Sequence, residues 1–112
     1  MKRGEIWWAS LPAPQGSSPG YRRPVVVVQS NDFNESRIQT VVVAAITSNL
    51  SLAEAPGNFA ISSRHSGLSR KSVVIVSQLL ALTKTLLTER IGGLERGSLQ
   101  RLDDGLRLVL AL

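Results

Sequence analysis

Pro24-Val25-Val26-Val27-Val28-Gln29 is the stretch that decides the fold, four consecutive β-branched residues behind a proline. Branching at Cβ stiffens χ1 and disfavours helix, and an unbroken apolar run of this length suits a strand buried on both faces. Two further stretches read the same way: Ile38 to Ile46 with its Thr-Val-Val-Val core, and Ser72-Val73-Val74-Ile75-Val76. Gly4 to Leu11, where Ile6 and Trp8 alternate with Glu5 and Trp7, predicts an opening strand, and Asn58 to Ser62 a shorter one. Pro12-Ala13-Pro14-Gln15-Gly16-Ser17-Ser18-Pro19-Gly20 is long for a strand connection in a compact domain. Loops of that kind are often functional, and this one is expected to act as a moving lid. Near the C-terminus Leu99, Leu102, Leu106, Val109 and Leu110 recur at helical spacing, with Arg101, Asp103, Asp104 and Arg107 between them. One amphipathic helix is therefore expected to close the chain, with Gly105 as its weak point at ~1 kcal/mol relative to alanine.

The architecture implied is mainly β (α+β), a small curved, antiparallel, barrel-like sheet of five strands with a C-terminal α-helix packed on it. A length of 112 residues supports one core, so residues 1–112 are read as a single domain. The 43% hydrophobic content is enough to offset chain entropy, which excludes a disordered protein. Five strands on this scale leave apolar edges, so a symmetric homodimer is expected.

Composition also narrows the chemistry. The chain has no cysteine and one histidine, which leaves no disulfide framework, thiolate nucleophile or histidine-based metal site; a mechanism without metal or cofactor is the expectation. The start has basic residues without an apolar signal region, and no stretch approaches the ~20 apolar residues of a spanning helix, so a cytoplasmic protein without a membrane partner is expected. The net charge of +5 favours a polyanionic partner: nucleic acid, anionic lipid or an acidic protein segment. Between Glu54 and Glu89 there is no acid, while Arg64, Arg70, Lys71 and Lys84 fall in that interval, either as a basic face or as ordinary solvated cations.

Arg22 and Arg23 stand where the Gly-rich loop enters the first long strand. A guanidinium offers a planar fork to phosphate oxygens and, held at a strand entrance, can stabilise a charged phosphorane. The alternative is that one or both cap the strand end or pair with acids such as Glu5 or Asp32. Thr47, Ser48 and Asn49 set two hydroxyls and an amide at the exit of the second long strand, suited either to a phosphate and ribose or to an ordinary turn. Ser30 and Asn31 offer polar groups after the first long strand; Phe33 beside them is assigned to the core rather than to base stacking. Of Trp7 and Trp8, one is expected in the core and the other at an interface or a base. His65 is the proton-transfer candidate by its pKa class, set against a plain surface histidine. No paired carboxylates, Ser-His-Asp spacing, Walker loop or dinucleotide fingerprint occurs, so phosphodiester chemistry or binding remains.

In order and spacing these motifs resemble the MazF/PemK/Kid family of toxin endoribonucleases. The resemblance runs through Lys2-Arg3-Gly4-Glu5-Ile6-Trp7, Gly20 to Gln29 with Arg-Pro-Val-Val-Val, Val43 to Asn49 with Ala-Ala-Ile-Thr, Gly67-Leu68, Ser72 to Gln78 and the Leu-rich final helix. It implies a curved sheet of the CcdB/Kid type and a homodimer that binds single-stranded mRNA along its interface. It implies metal-independent cleavage at short sequences by 2′-hydroxyl attack, leaving a 2′,3′-cyclic phosphate and a 5′-hydroxyl, and inhibition by a cognate antitoxin. The family's catalytic arginine matches Arg23 and its hydroxyl residue matches Thr47; Arg22, Ser30, Asn31, Ser48 and Gln78 are the accompanying RNA contacts. Many members carry Ser-Glu-Gln in the first loop and an acid before the glutamine, where this chain has Ser17-Ser18-Pro19 and Ser77. With both carboxylates missing, the proton acceptor falls to His65 or a water. Two alternatives follow: a catalytically silent RNA- or antitoxin-binding module on the same fold, and a gyrase-directed toxin like CcdB.

Overall fold

The computed structural model describes residues 1–11, Gly16 and residues 21–112. Apart from Gly16, the loop expected to act as a lid, residues 12–20, lies outside the described residues. The three β-branched runs form the middle of the sheet. Strands β1 (Glu5–Leu11), β2 (Tyr21–Val27), β3 (Thr40–Thr47), β4 (Phe59–Ile61), β5 (Ser72–Thr83) and β6 (Leu87–Gly93) make one sheet in the order β4-β5-β3-β2-β1-β6. Every pairing is antiparallel. One-turn helices α1 (Asn31–Asn34) and α2 (Ser63–Ser66) lie in connections, and α3 (Arg96–Leu110) closes the chain.

Six strands stand where five were expected. β6 was missed because Thr88, Glu89 and Arg90 are exposed on an edge strand that pairs only with β1, so half of the pattern that marks a strand is absent. β5 also runs on to Thr83, past a break in register. Ala44 faces Leu79 and Ala45 faces Ile75, leaving Val76, Ser77 and Gln78 as a bulge. Bulges bend and twist the strand that carries them, and this one curls the sheet. Asn58 repairs it, its Oδ1 accepting from the Val76 backbone N–H at 3.0 Å.

Alternation sorts the core into two layers. Ile6, Val26, Ala44, Ile46, Val74 and Val76 pack with Phe59, Leu68 and Leu102 under α3 on the first face. Ala9, Val25, Val27, Val41, Val43 and Leu82 form the second face, covered by Leu86 from the β5–β6 connection. Val25, Val26, Val27, Val41 and Val43 are all 0% exposed, each contributing ~1.5–3 kcal/mol by burial. The helix meets the first face through Leu102, 0% exposed, and through Gly105, whose missing side chain lets the helix backbone approach the Gly57 carbonyl. Val109 and Leu110, part of the apolar spacing read from the sequence, are exposed. Phe33 is likewise exposed, not core. The buried residue of α1 is Asn34, whose Nδ2 donates to the Gln29 carbonyl at 2.9 Å.

One ionised group ties the opening strand together. Burial pushes the Glu5 carboxyl up, but the Lys2 backbone N–H, the Trp7 indole N–H and Arg90 together outweigh it and hold its pKa below the ordinary value. Lys2 N donates to Oε1 at 2.8 Å and Arg90 Nε lies 3.0 Å from Oε2. An acid depressed in the folded state stabilises the protein above its unfolded pKa and loses that contribution as pH falls through its folded pKa. Glu5→Gln is therefore expected to lower stability at neutral pH and to flatten the acid limb of a pH–stability curve from denaturant melts. An unchanged acid limb would contradict this role.

Candidate functional site

The site begins with what proline does to a ladder. Pro24 has no N–H to give, and the β2–β3 pairing starts one residue later, with Val25 facing Ala45, Val26 facing Ala44 and Val27 facing Val43. Carrying that register two residues past its last pair brings Arg23 opposite Thr47. The β2–β3 ladder ends at Val25 and Ala45, leaving the Arg23 and Thr47 ends beyond it as a fork, while β2 stays paired to β1 through Arg23 and Ala9. Alternation puts both side chains on the second face, the side of Val25, Val27 and Val43.

Thr47 is half-buried at the strand exit. Its Oγ1 accepts from the Asn49 backbone N–H at 3.1 Å, and Asn49 Oδ1 in turn accepts from Ser51 N at 3.2 Å. The turn anticipated for these residues is thus present, and it orients the hydroxyl: with one lone pair taken by Asn49, the O–H proton is left to donate into the fork. Arg23 is exposed, and among the described residues no carboxylate lies within ion-pair distance of it. Glu5, a candidate counter-ion, is held by Arg90 instead.

Arg22 points the other way. Its guanidinium lies 4.2 Å from the centroid of the Trp8 ring, and its Nη2 is 3.9 Å from Glu89 Oε1. This pair borders a cleft of about 290 Å³ on the first face, floored by Trp8, Pro24, Ile46 and Leu68. Arg70, Ser48, Ser69 and Ser72 complete its rim, with Arg23 at the border between the faces. The even-numbered strand residues Trp8, Arg22, Pro24, Ile46 and Ser72 line it, as alternation requires, and Arg23 joins them, so the cleft adjoins the Arg23–Thr47 fork at the strand ends.

The other expected residues are not gathered at the fork. Ser30 and Asn31 follow the far end of β2, about 20 Å away at ~3.3 Å per strand residue. Asn31 is committed to the fold: its Oδ1 accepts from Arg3 N at 2.7 Å. Gln78 sits half-buried on the β5 bulge. His65, on α2, is exposed with Nε2 3.6 Å from Glu95 Oε2, and it borders a separate small depression with Ser62 and Glu95. Trp7 packs on the second core layer, whereas Trp8 faces the cleft, which answers the division expected of the pair. Sequence reasoning missed Trp8 with Arg22 as a unit, and named Arg70 only within a general basic face; strand alternation from Arg23 carried the signal that consecutive arginines serve opposite faces. Among the described residues no cluster of metal-ligating side chains occurs, and no helix is long and apolar enough to cross a membrane.

Comparison with known proteins gives a consistent result. The family described as PemK-like, MazF-like toxin of type II toxin–antitoxin system matches residues 2–110. Endoribonuclease MazF2 of Mycobacterium bovis is 46% identical over 112 residues, 100% of this chain and 98% of the relative. Endoribonuclease EndoA of Bacillus subtilis is 35% identical, over 100% of this chain and 96% of its own. Among solved structures, MazF from Deinococcus radiodurans superposes with a TM-score of 0.82 at 18% identity, covering 100% of this chain and 97% of that one. An endoribonuclease in complex with its cognate antitoxin, from a mycobacterial species, gives 0.82 at 19% identity, with 100% and 96% covered. These structures share the curled antiparallel sheet with a C-terminal helix that the sequence led us to expect, though with a sixth strand that it did not.

Proposed function

The chain belongs to the PemK-like, MazF-like toxins of type II toxin–antitoxin systems, and from that membership we propose that it is an endoribonuclease that cuts single-stranded mRNA with Arg23 and Thr47. What supports the assignment to these two residues is the β2–β3 register, which extended past Pro24 sets Arg23 opposite Thr47: a guanidinium with no carboxylate in ion-pair distance among the described residues, and a hydroxyl already held by its own turn. A phosphodiester seated there accepts from both. The ribose 2′-oxygen attacks phosphorus, its proton leaves to water, the bond from phosphorus to the 5′-oxygen breaks, and that oxygen takes up a proton. The products are a 2′,3′-cyclic phosphate and a 5′-hydroxyl. Arg23 bears on the two extra-charged oxygens of the phosphorane through its planar fork, and Thr47 donates to one of them. No metal takes part in this reading. Water is assigned as proton acceptor because Ser77 supplies no carboxylate and His65 borders a separate depression with Ser62 and Glu95.

Arg22 and Ser48 remain RNA contacts in this reading, on the cleft side. We assign the protein to the cytoplasm, as a homodimer held inactive by a cognate antitoxin; the mycobacterial neighbour was solved in complex with its own antitoxin. The apolar end of α3, where Leu108, Leu110 and Leu112 are 60%, 50% and 84% exposed, supports a partner on that surface. A second reading, a silent RNA-binding module, is favoured only by the missing carboxylates. Purified protein incubated with a long RNA in EDTA separates the two: discrete new ends by primer extension support the enzyme, and a mobility shift without new ends supports the binder. Thr47→Val, which keeps the shape and removes the donor, is expected to slow single-turnover cleavage about a hundredfold, with Thr47→Ser near wild type. Equal rates for the valine variant would remove Thr47 from the chemistry.

A further inference from the structure

We propose that the cleft behind the fork is a nucleobase site, which takes a base flanking the scissile phosphate and favours the acceptor-rich edge of guanine. The source of that base rests on the reading of the chain as an RNA-cutting enzyme; the recognition chemistry does not. Three features of the cleft point to a base. The first is a stacking platform: the Trp8 ring carries the Arg22 guanidinium 4.2 Å above its centroid, a planar group held where a planar base fits. Arg22 is loosely anchored, since its contact to Glu89 is 3.9 Å long between side chains 57% and 63% exposed, and a surface pair of this kind is weak. It can therefore swing from the ring and close over an entering base, making a sandwich of indole, base and guanidinium.

The second feature is the chemistry of the rim. Arg70 and the hydroxyls of Ser48, Ser69 and Ser72 border the cleft, and none of its lining residues is an acid. Ser72 Oγ donates to the Arg70 carbonyl at 3.0 Å, which fixes the backbone from which the Arg70 side chain reaches out. A guanidinium fork matches guanine O6 and N7, two acceptors side by side, and the carboxylate nearest the cleft's lining, Glu89, lies beyond Arg22 and outside the lining itself. The third is size and position. About 290 Å³ is at the small end for ligand sites, sufficient for one base. Arg22 and Arg23 are consecutive on β2 and project to opposite faces, so an RNA strand whose phosphate is held at Arg23 has a base within reach of the Trp8 side. Phosphate contacts then position the strand while the cleft reads it.

The test has a binding arm and a cleavage arm. Tryptophan fluorescence of the wild-type protein is titrated with guanosine monophosphate, cytidine monophosphate and inorganic phosphate. The expected result is quenching by guanosine monophosphate, weaker quenching by cytidine monophosphate and none by phosphate. Arg70→Gln, an exposed position that leaves the core untouched, should weaken guanosine monophosphate binding at least about tenfold. Trp8→Leu should remove the quench and Trp8→Phe should keep the binding, with circular dichroism confirming folded protein. In the cleavage arm, ends mapped across a random-sequence RNA should show guanine favoured at one position beside the cut, and among the cuts that Arg70→Gln makes that preference should be gone. Equal competition by inorganic phosphate, or an unchanged nucleotide affinity and an unchanged cut sequence in Arg70→Gln, overturns the proposal. If the wild type cuts nothing, the endoribonuclease reading fails by itself; the nucleotide titration, which needs no cleavage, still decides the base site.

Discussion

Arg23→Ala protein leaves a long RNA uncut under conditions in which the wild type cuts it to completion, with a rate loss of about a thousandfold. Removing one preorganised donor aimed at a developing oxyanion costs ~10²–10³ in rate, and Arg23 supplies a full charge as well as two parallel N–H groups. The folded state should not register the change. Arg23 is exposed at the open end of β2, and the residue's backbone pairing with Ala9 survives truncation. Surface changes of this kind fall within ~0.5 kcal/mol. Arg23→Lys keeps the charge but loses the fork, so it should recover only part of the rate. The paired control is Arg22→Ala, which projects to the other face and should weaken RNA binding more than it slows bound RNA. Discrete cutting by Arg23→Ala, in single-turnover assays with folded protein, would remove Arg23 from the chemistry.

Gly105→Ala lowers stability, against what helix propensity alone dictates. In an open helix interior the change would gain ~1 kcal/mol. Here a Cβ would stand 2.6 Å from the Gly57 carbonyl oxygen and 2.8 Å from Val76 Cγ1. Neither neighbour yields easily. Gly57 sits in a turn at φ +83°, and the adjoining Asn58 is bonded at both ends, to the Leu52 carbonyl at 2.9 Å and the Val76 N–H at 3.0 Å. Overpacking costs ~1–3 kcal/mol, and contact with fixed backbone places this site at the upper end. The net loss is about 2 kcal/mol, a fall in melting temperature of about 10 °C for a domain of this size. A melting temperature equal to or above wild type would show that α3 can lift from the Gly57 turn without cost.

The same glycine shows where a single sequence stops being informative. From the chain alone Gly105 is a weak point in a helix; its reason is a contact with a residue 48 positions earlier, and no local pattern encodes that. The strands with β-branched runs were legible because burial on both faces demands them. β6 was not, because its outward residues Thr88, Glu89 and Arg90 answer to solvent and its one partner is the strand at the other end of the chain's order. Phe33 misled because a lone aromatic normally marks a core, yet α1 is anchored by the amide of Asn34 instead. At the candidate site, Arg23 and Thr47 were legible as residue types at strand ends. The register that, extended, sets them opposite each other was not, and neither was the assignment of Arg22 to the opposite face with Trp8. Ser30 and Asn31 were drawn in by their polarity, but the length of β2 holds them away from the fork, and Asn31 is occupied with Arg3.

The central claim is that the RNA's own 2′-hydroxyl is the nucleophile, in a fork that stabilises the phosphorane without a metal. The most direct measurement takes one mapped cleavage site in a short RNA, prepares the same oligonucleotide with a single 2′-deoxy nucleotide on the 5′ side of the scissile phosphate, and compares the two with wild-type protein in EDTA by mass spectrometry. The all-ribose strand is expected to yield a 2′,3′-cyclic phosphate and a 5′-hydroxyl while the substituted strand stays intact. Cleavage of the 2′-deoxy strand, or products bearing a 5′-phosphate, would contradict the claim.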